Sequence, residues 1–374
     1  MQLSRRSLFK GAAAVGGATL LAGCGQSGGS PTATSPRAIT VTDQRGKTIA
    51  FDGPVKRVVT LPMPAAAMLI SVDKTSQHLV GMHDASWTAM KDGIMGTMFP
   101  DALKIEHDVA DSSFAPNVES ILALQPDVVV QWADQGSGII APMENAGLKV
   151  VGMTYGTQQD LDVWISLFAK MLGIPQRGHA MLTRINSDLT RAKAVGSGRP
   201  SPGPSILYFF QLSSGLQVAG RNTYNDFYIS MIGGTNPAAS DQGVQGTGTV
   251  GVDIEQVLAW DPDIVLIGNF DTAMPDDIYH DAVWQGTSAV KSRRVYKVPL
   301  GGYRWDPPGQ ESPLMWQWLS RIAFPHGQDR ALRKEIVDYY RFLYGYTPSS
   351  TQLDQILWMD VNRKSAHYPQ LYAA

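Results

Sequence analysis

Cysteine is nearly absent: Cys24 stands alone among 374 residues, which excludes a disulfide framework within the chain. Charge is sparse and balanced, at 17% of residues with a formal net of −2. With no basic stripe, the chain lacks the electrostatic footprint of a nucleic-acid binder. Long apolar runs are missing as well. The uncharged stretch 11–22 is about half the length that spans a bilayer, and charges and prolines interrupt every later apolar run. Catalytic motifs are also lacking, since neither Gly-x-Ser-x-Gly nor Gly-x-x-x-x-Gly-Lys-Ser/Thr occurs. Gly243-Val-Gln-Gly246-Thr-Gly248 is glycine-rich but follows no strand, which argues against a dinucleotide loop. The seven histidines (His78, His83, His107, His179, His280, His326 and His367) are scattered, with no pair at metal-ligand spacing on one helix. Neither a resident metal nor a cofactor is expected, and the first reading is not an enzyme.

What is present begins with Ser4-Arg5-Arg6-Ser7-Leu8-Phe9-Lys10 ahead of the short uncharged stretch. This reads as a removable signal peptide, residues 1–23. The paired arginines resemble a twin-arginine export signal, with Leu8-Phe9 inverting the usual order. Leu21-Ala22-Gly23-Cys24 resembles a bacterial lipobox, which makes the lone thiol of Cys24 the acceptor of lipid; a buried structural cysteine is the plain alternative. Residues 24–38, rich in Gly, Ser, Thr and Pro, have the composition of a flexible tether. The expectation is an exported body, lipid-anchored to a membrane and facing the periplasm or cell exterior.

The length and 44% hydrophobic content leave room for two cores. Two alternating runs around Arg45-Gly46 read as a β-hairpin over 39–51, and 55–60 reads as a strand. The most informative pattern is an internal repeat. Val118-Glu119-Ser-Ile121-Leu122-Ala-Leu-Gln-Pro126-Asp127-Val-Val-Val130 matches Ile254-Glu255-Gln-Val257-Leu258-Ala-Trp-Asp-Pro262-Asp263-Ile-Val-Leu266, each pair 136 positions apart. Each copy spells a short helix, N-capped by Asn117 or Asp253, then a strand of a parallel sheet. Two copies imply two α/β lobes, over 39–157 and 197–374. Between them, 158–196 keeps helical spacing around a break at Gly173–Pro175, and its second half would be roughly 30 Å long.

The opening 39–59 run, with Val41-Thr42-Asp43 and Arg57-Val58-Val59, resembles the periplasmic binding protein class that serves siderophore, haem and cobalamin importers, and the resemblance extends along the whole chain after the tether. It implies two Rossmann-like lobes with central, mostly parallel sheets, joined by a single long rigid linker helix, with the ligand cleft between lobes. It also implies a monomer that delivers its solute to an ABC permease dimer with its ATPase. Glu119 and Glu255 fall where the family's docking glutamates pair with permease arginines. A carboxylate in a helix's first turn also gains from the macrodipole without any partner.

A cleft beyond the carboxyl ends of the strands selects the segments 62–66, 83–87, 112–114, 221–224 and 302–305, together with Gln211. Tyr303-Arg304-Trp305 leads, because two aromatic faces flank a guanidinium able to meet an anionic, planar ligand. Trp87, Arg221 and Tyr224 come next. His83 is the histidine placed to reach a haem or cobalt complex. The ligand expected is an iron chelate of the ferric siderophore type. Haem, cobamide and molybdate or tungstate are alternatives, as are a tethered sensor or a chelate-processing enzyme.

Overall fold

The computed structural model describes residues 38–241, 248–325 and 331–369. The expected signal peptide with Arg5 and Arg6, Cys24, the tether up to residue 37, and His326 lie outside the described residues.

The expected hairpin is β1 (Ile39–Thr42) against β2 (Thr48–Phe51), with Ile39 opposite Phe51 and Val41 opposite Ile49. Val41, Ile49 and Phe51 are buried while their neighbours face outward, the period of two that a half-buried strand requires. The Asp43 carboxylate accepts the Arg45 and Lys47 amides at 2.9 and 3.0 Å. Gly46, at φ +80°, supplies the left-handed turn residue.

The first sheet comprises β3 (Val58–Thr60), β4 (Leu79–Met82), β5 (Val128–Trp132) and β6 (Val150–Met153), in the order β4-β3-β5-β6 and parallel throughout. The second comprises β7 (Ile206–Gln211), β8 (Leu216–Ala219), β9 (Thr249–Val252), β10 (Ile264–Ile267) and β11 (Val295–Lys297), in the order β11-β10-β7-β8-β9. Here β7, β10 and β11 are parallel, and β8 and β9 add an antiparallel edge. The β-branched runs are buried on both faces, as parallel strands covered by helices must be.

The repeat explains why the sheets correspond. The helices Val118–Ala123 and Ile254–Trp260 feed β5 and β10, each flanked on both sides by a parallel strand. Asn117 accepts the Ser120 amide at 3.2 Å and Asp253 the Gln256 amide at 2.7 Å, so both expected N-caps are formed. Ile121 and Val257 are fully buried. The repeat aspartates also act alike. Asp127 accepts the Lys56 and Arg57 amides ahead of β3, and Asp263 the Ser205 amide ahead of β7.

The helix Gln158–Met171 starts on a Thr157–Asp160 capping box and stops at Gly173, φ +73°. The linker helix Pro175–Ser197 then runs 23 residues, about 34 Å. At its first turn Arg177 donates to the Ser71 carbonyl of the helix Ala65–Asp73 and the Leu343 carbonyl of the helix Leu332–Tyr344. One apolar cluster runs from Met68 and Trp164 through Tyr208 to Trp318 and Tyr340, so the inner faces of both sheets share a core. The outer faces close over separate clusters, around Val129 and Ile121 on the first sheet and Val265 and Val257 on the second.

Candidate binding site

Segments following the parallel strands of the two sheets touch one another, at the strand ends where open α/β sheets bind ligands. From the first sheet come His83 after β4, Trp132 closing β5 and Tyr155 after β6. Their rings interlock through Phe114: His83 to Phe114 at 4.6 Å, Phe114 to Trp132 at 5.7 Å, and Trp132 to Tyr155 at 5.9 Å. From the second sheet come Asn269 and Phe270 after β10, and Gly301–Arg304 after β11. The Tyr155 hydroxyl donates to the Pro308 carbonyl, Tyr224 Oη to Gln158 Oε1 at 3.0 Å, and the Ile94 amide to the Gly301 carbonyl at 3.0 Å. Gly93 permits that last approach, because a Cβ there would collide with the Gly301 carbonyl oxygen.

Arg304 is the unusual group in this crevice. Its Nε donates to the Asn269 carbonyl at 3.3 Å, and its guanidinium carbon lies 4.8 Å from the Phe270 ring centre and 5.7 Å from that of Tyr303. Nη1 is sealed from solvent without a hydrogen-bond partner of good geometry, although the guanidinium also leans on the Tyr303 hydroxyl, and no carboxylate stands within ion-pair distance among the described residues. A charged donor left in this state costs desolvation energy that an anion would recover. Phe270, 39% exposed, offers an aromatic face beside it. Burial pushes the phenols of Tyr155, Tyr208, Tyr228 and Tyr303 up, so they stay neutral at physiological pH.

The surrounding groups hold the Arg304 loop in place. The buried Glu311 carboxylate receives four donors: Trp305 Nε1 at 2.6 Å and Tyr340 Oη at 2.8 Å on Oε2, and the Gly302 amide at 3.0 Å and Tyr344 Oη at 2.5 Å on Oε1. Asp306 receives Tyr208 Oη at 2.6 Å and the Asn269 backbone and side-chain amides at 3.1 and 3.0 Å. The ammonium of Lys297 donates to the carbonyls of Gly268, Asp271 and Ala273 at 2.9, 2.6 and 3.1 Å, pinning the loop that carries Phe270. Burial lowers the Lys297 pKa to about 8.

The residues singled out from sequence separate accordingly. Tyr303, Arg304 and Phe270 share one wall of the crevice. Tyr303 is 2% exposed and Trp305 1%; Trp305 lies behind the loop with its N–H given to Glu311. His83 is no free ligand for a metal: Nε2 is bonded to the Asp111 carbonyl at 2.9 Å and Nδ1 accepts the Ala85 amide at 3.0 Å, because it caps the helix Asp84–Asp92. Trp87 sits within that helix, donates to the Leu103 carbonyl at 3.0 Å and stacks on His107 at 4.5 Å. Arg221 donates to the carbonyls of Ala239 and Asp241. Tyr224 is buried, its hydroxyl committed to Gln158. Ala65 and Ala66, expected in a cleft loop, are fully buried in a helix. Glu119 and Glu255 are exposed in the first turns of their helices, one on each lobe. Tyr155, Phe270, Lys297 and Glu311 escaped the sequence reading. Tyr155 and Phe270 follow strand ends and share the signal that selected Tyr303, whereas Lys297 and Glu311 reveal themselves only through partners distant in the chain.

Two α/β lobes of corresponding topology, bridged by one long helix, with an aromatic crevice between opposed strand ends, define a two-lobed binding protein. Residues 100–300 match the family described as periplasmic binding protein, and the chain belongs to that family. A periplasmic solute binding protein from Veillonella parvula is 31% identical, covers 87% of this chain and 98% of its own, and superposes with a TM-score of 0.79. The molybdate-binding protein MolA of Haemophilus influenzae is 24% identical over 83% of this chain and 92% of its own. The Fe(3+)-citrate-binding protein YfmC of Bacillus subtilis is 25% identical over 74% of this chain and 84% of its own. These relatives are binding proteins, and this chain is a solute-binding protein of an ABC transporter, not an enzyme. Among the described residues no helix is long and apolar enough to cross a membrane.

Proposed function

We propose that the chain captures an anionic iron chelate outside the cytoplasmic membrane and delivers it to an ABC permease dimer with its ATPase. The observation that carries this reading is Arg304, a guanidinium whose Nη1 is sealed and lacks a well-placed acceptor, beside Phe270 and Tyr303. A carboxylate-bearing ferric chelate has the negative charge for Arg304 and the bulk for the aromatic wall. Similarity to a ferric citrate binder agrees with it. A second reading, molybdate, draws on the molybdate-binding relative and on the direct contact of Tyr155 with Pro308 across the crevice, which favours a small solute.

Tryptophan-fluorescence titration of the signal-free protein against ferric citrate, a ferric hydroxamate, haem, cobalamin and molybdate separates these. Saturable quenching by ferric chelates supports the first reading, and quenching by molybdate alone replaces it with the second. In the same proposal Cys24 carries the lipid, Glu119 and Glu255 face the permease, export follows the twin-arginine route, and the protein acts as a monomer. An intact mass beginning at Cys24 with acyl chains attached, from membrane-extracted protein, is the expected result for the anchor.

A further inference from the structure

Five large apolar side chains stand exposed among the described residues: Leu122, Val195, Leu258, Phe270 and Val283. Phe270 belongs to the crevice. Leu122 and Leu258 are different, because they occupy the same position of the internal repeat, 136 residues apart. They are 42% and 38% exposed. Each follows by three residues an exposed glutamate, Glu119 or Glu255, and residues three apart lie on one face of a helix. Their exposure is not the fraying of a loose element. The adjacent Ile121 and Val257 are fully buried and anchor each helix to its sheet.

The glutamates are also uncommitted. Asn117 and Asp253 already cap the two helices, and neither Glu119 nor Glu255 has an ion-pair or hydrogen-bond partner among the described residues. Each lobe therefore presents a free carboxylate with a leucine one turn behind it. A carboxylate beside an apolar knob is complementary to a cation at the rim of an apolar socket, and water-excluding apolar contact strengthens such a charge pair. Two matching pairs call for a partner that offers the same socket twice.

We infer that Leu122 and Leu258 are matched apolar anchors for the two like subunits of the permease, each seated in a socket while the neighbouring glutamate meets a cation at its rim. The inference rests on the reading of the chain as the delivering component of an importer. It adds an apolar contribution that charge pairing alone does not supply, and predicts docking that resists salt better than a pair of exposed ion pairs would.

The test uses the full, anchored chain in membranes of its own host, with a photoreactive benzoylphenylalanine at position 122 or 258. Both positions are expected to cross-link to one and the same permease polypeptide. Cross-links to a second copy of this chain, to unrelated proteins, or to none overturn the inference. In parallel, Leu122→Ser and Leu258→Ser are each expected to weaken permease association about tenfold, and the double substitution about a hundredfold. Thermal melting and titration with ferric citrate and molybdate should be unchanged. Undiminished association of the double variant overturns the inference, even if Glu119→Arg with Glu255→Arg abolishes docking. Permease cross-links from a chain that binds none of the tested solutes support the anchors and reject the solute reading alone.

Discussion

Replacing Glu311 by glutamine probes the support of the Arg304 loop. All four partners of the carboxylate are donors: two tyrosine hydroxyls, the Trp305 indole N–H and the Gly302 amide. A glutamine keeps one acceptor oxygen and turns an NH2 toward the other pair. The hydroxyls of Tyr340 and Tyr344 can rotate and accept from it, but the N–H of Trp305 and of Gly302 cannot. With the NH2 facing Trp305 that indole N–H is left buried without an acceptor, whereas with the NH2 facing Gly302 the amide N–H still has Tyr340 Oη at 3.0 Å, so the second placement is favoured and the loss falls on the charge-assisted bonds. Charge-assisted hydrogen bonds are about twice as strong as neutral ones, so turning these four into neutral or rearranged bonds in a buried site should make Glu311→Gln destabilising by about 1–3 kcal/mol. Urea unfolding followed by far-UV circular dichroism reads the loss as a lower midpoint at unchanged slope. Near-UV dichroism should change too, because Trp305, Tyr340 and Tyr344 exchange bonds to a charged acceptor for bonds to a neutral amide. An unchanged midpoint and near-UV spectrum would refute the view that this carboxylate fixes the loop.

Gly93→Ala should push the Gly301 carbonyl away and cost about 1–3 kcal/mol, with weakened solute binding, whereas Gly286→Ala, which meets nothing nearby, should be silent in both melting and titration. For Lys297 the sign follows from its depressed pKa of about 8. Between pH 8 and its ordinary pKa the unfolded chain binds more protons than the folded one, so this residue's contribution to stability grows as pH rises and is lost as pH falls through about 8. Over about pH 8 to 9.5 it amounts to about 2 kcal/mol. Urea midpoints across that range should rise more steeply for the native protein than for Lys297→Met, and parallel curves would count against the buried ammonium.

The repeat carried the most structural information in the sequence, because the same pattern of cap, buried Ile or Val, proline and aspartate recurs where the same helix and strand recur. The hairpin and the linker helix were legible for similar reasons, each combining a clean period with a glycine or proline break. Helix Ala65–Asp73 was not, since it is buried nearly all round and shows no apolar stripe to set against a polar face. Position after a strand pointed to Tyr303 and Arg304, which the fold sets beside Phe270. The same rule over-selected Trp87 and Arg221, whose donors are taken by local carbonyls. It also selected His83, whose cap role follows from the helix that begins after it. The Glu311, Asp306 and Lys297 networks join residues from separate elements, and such pairings have no spacing in the sequence.

Calorimetric titration of the signal-free protein and its Arg304→Met variant with ferric citrate, alongside molybdate, tests the central claim most directly. The account predicts one saturable site for an anionic solute in the native protein, weakened about 30- to 100-fold when the guanidinium is removed, in keeping with loss of a buried charge-assisted partner. Equal affinity of the two proteins, or no saturable binding of either anion to the native protein, would contradict it.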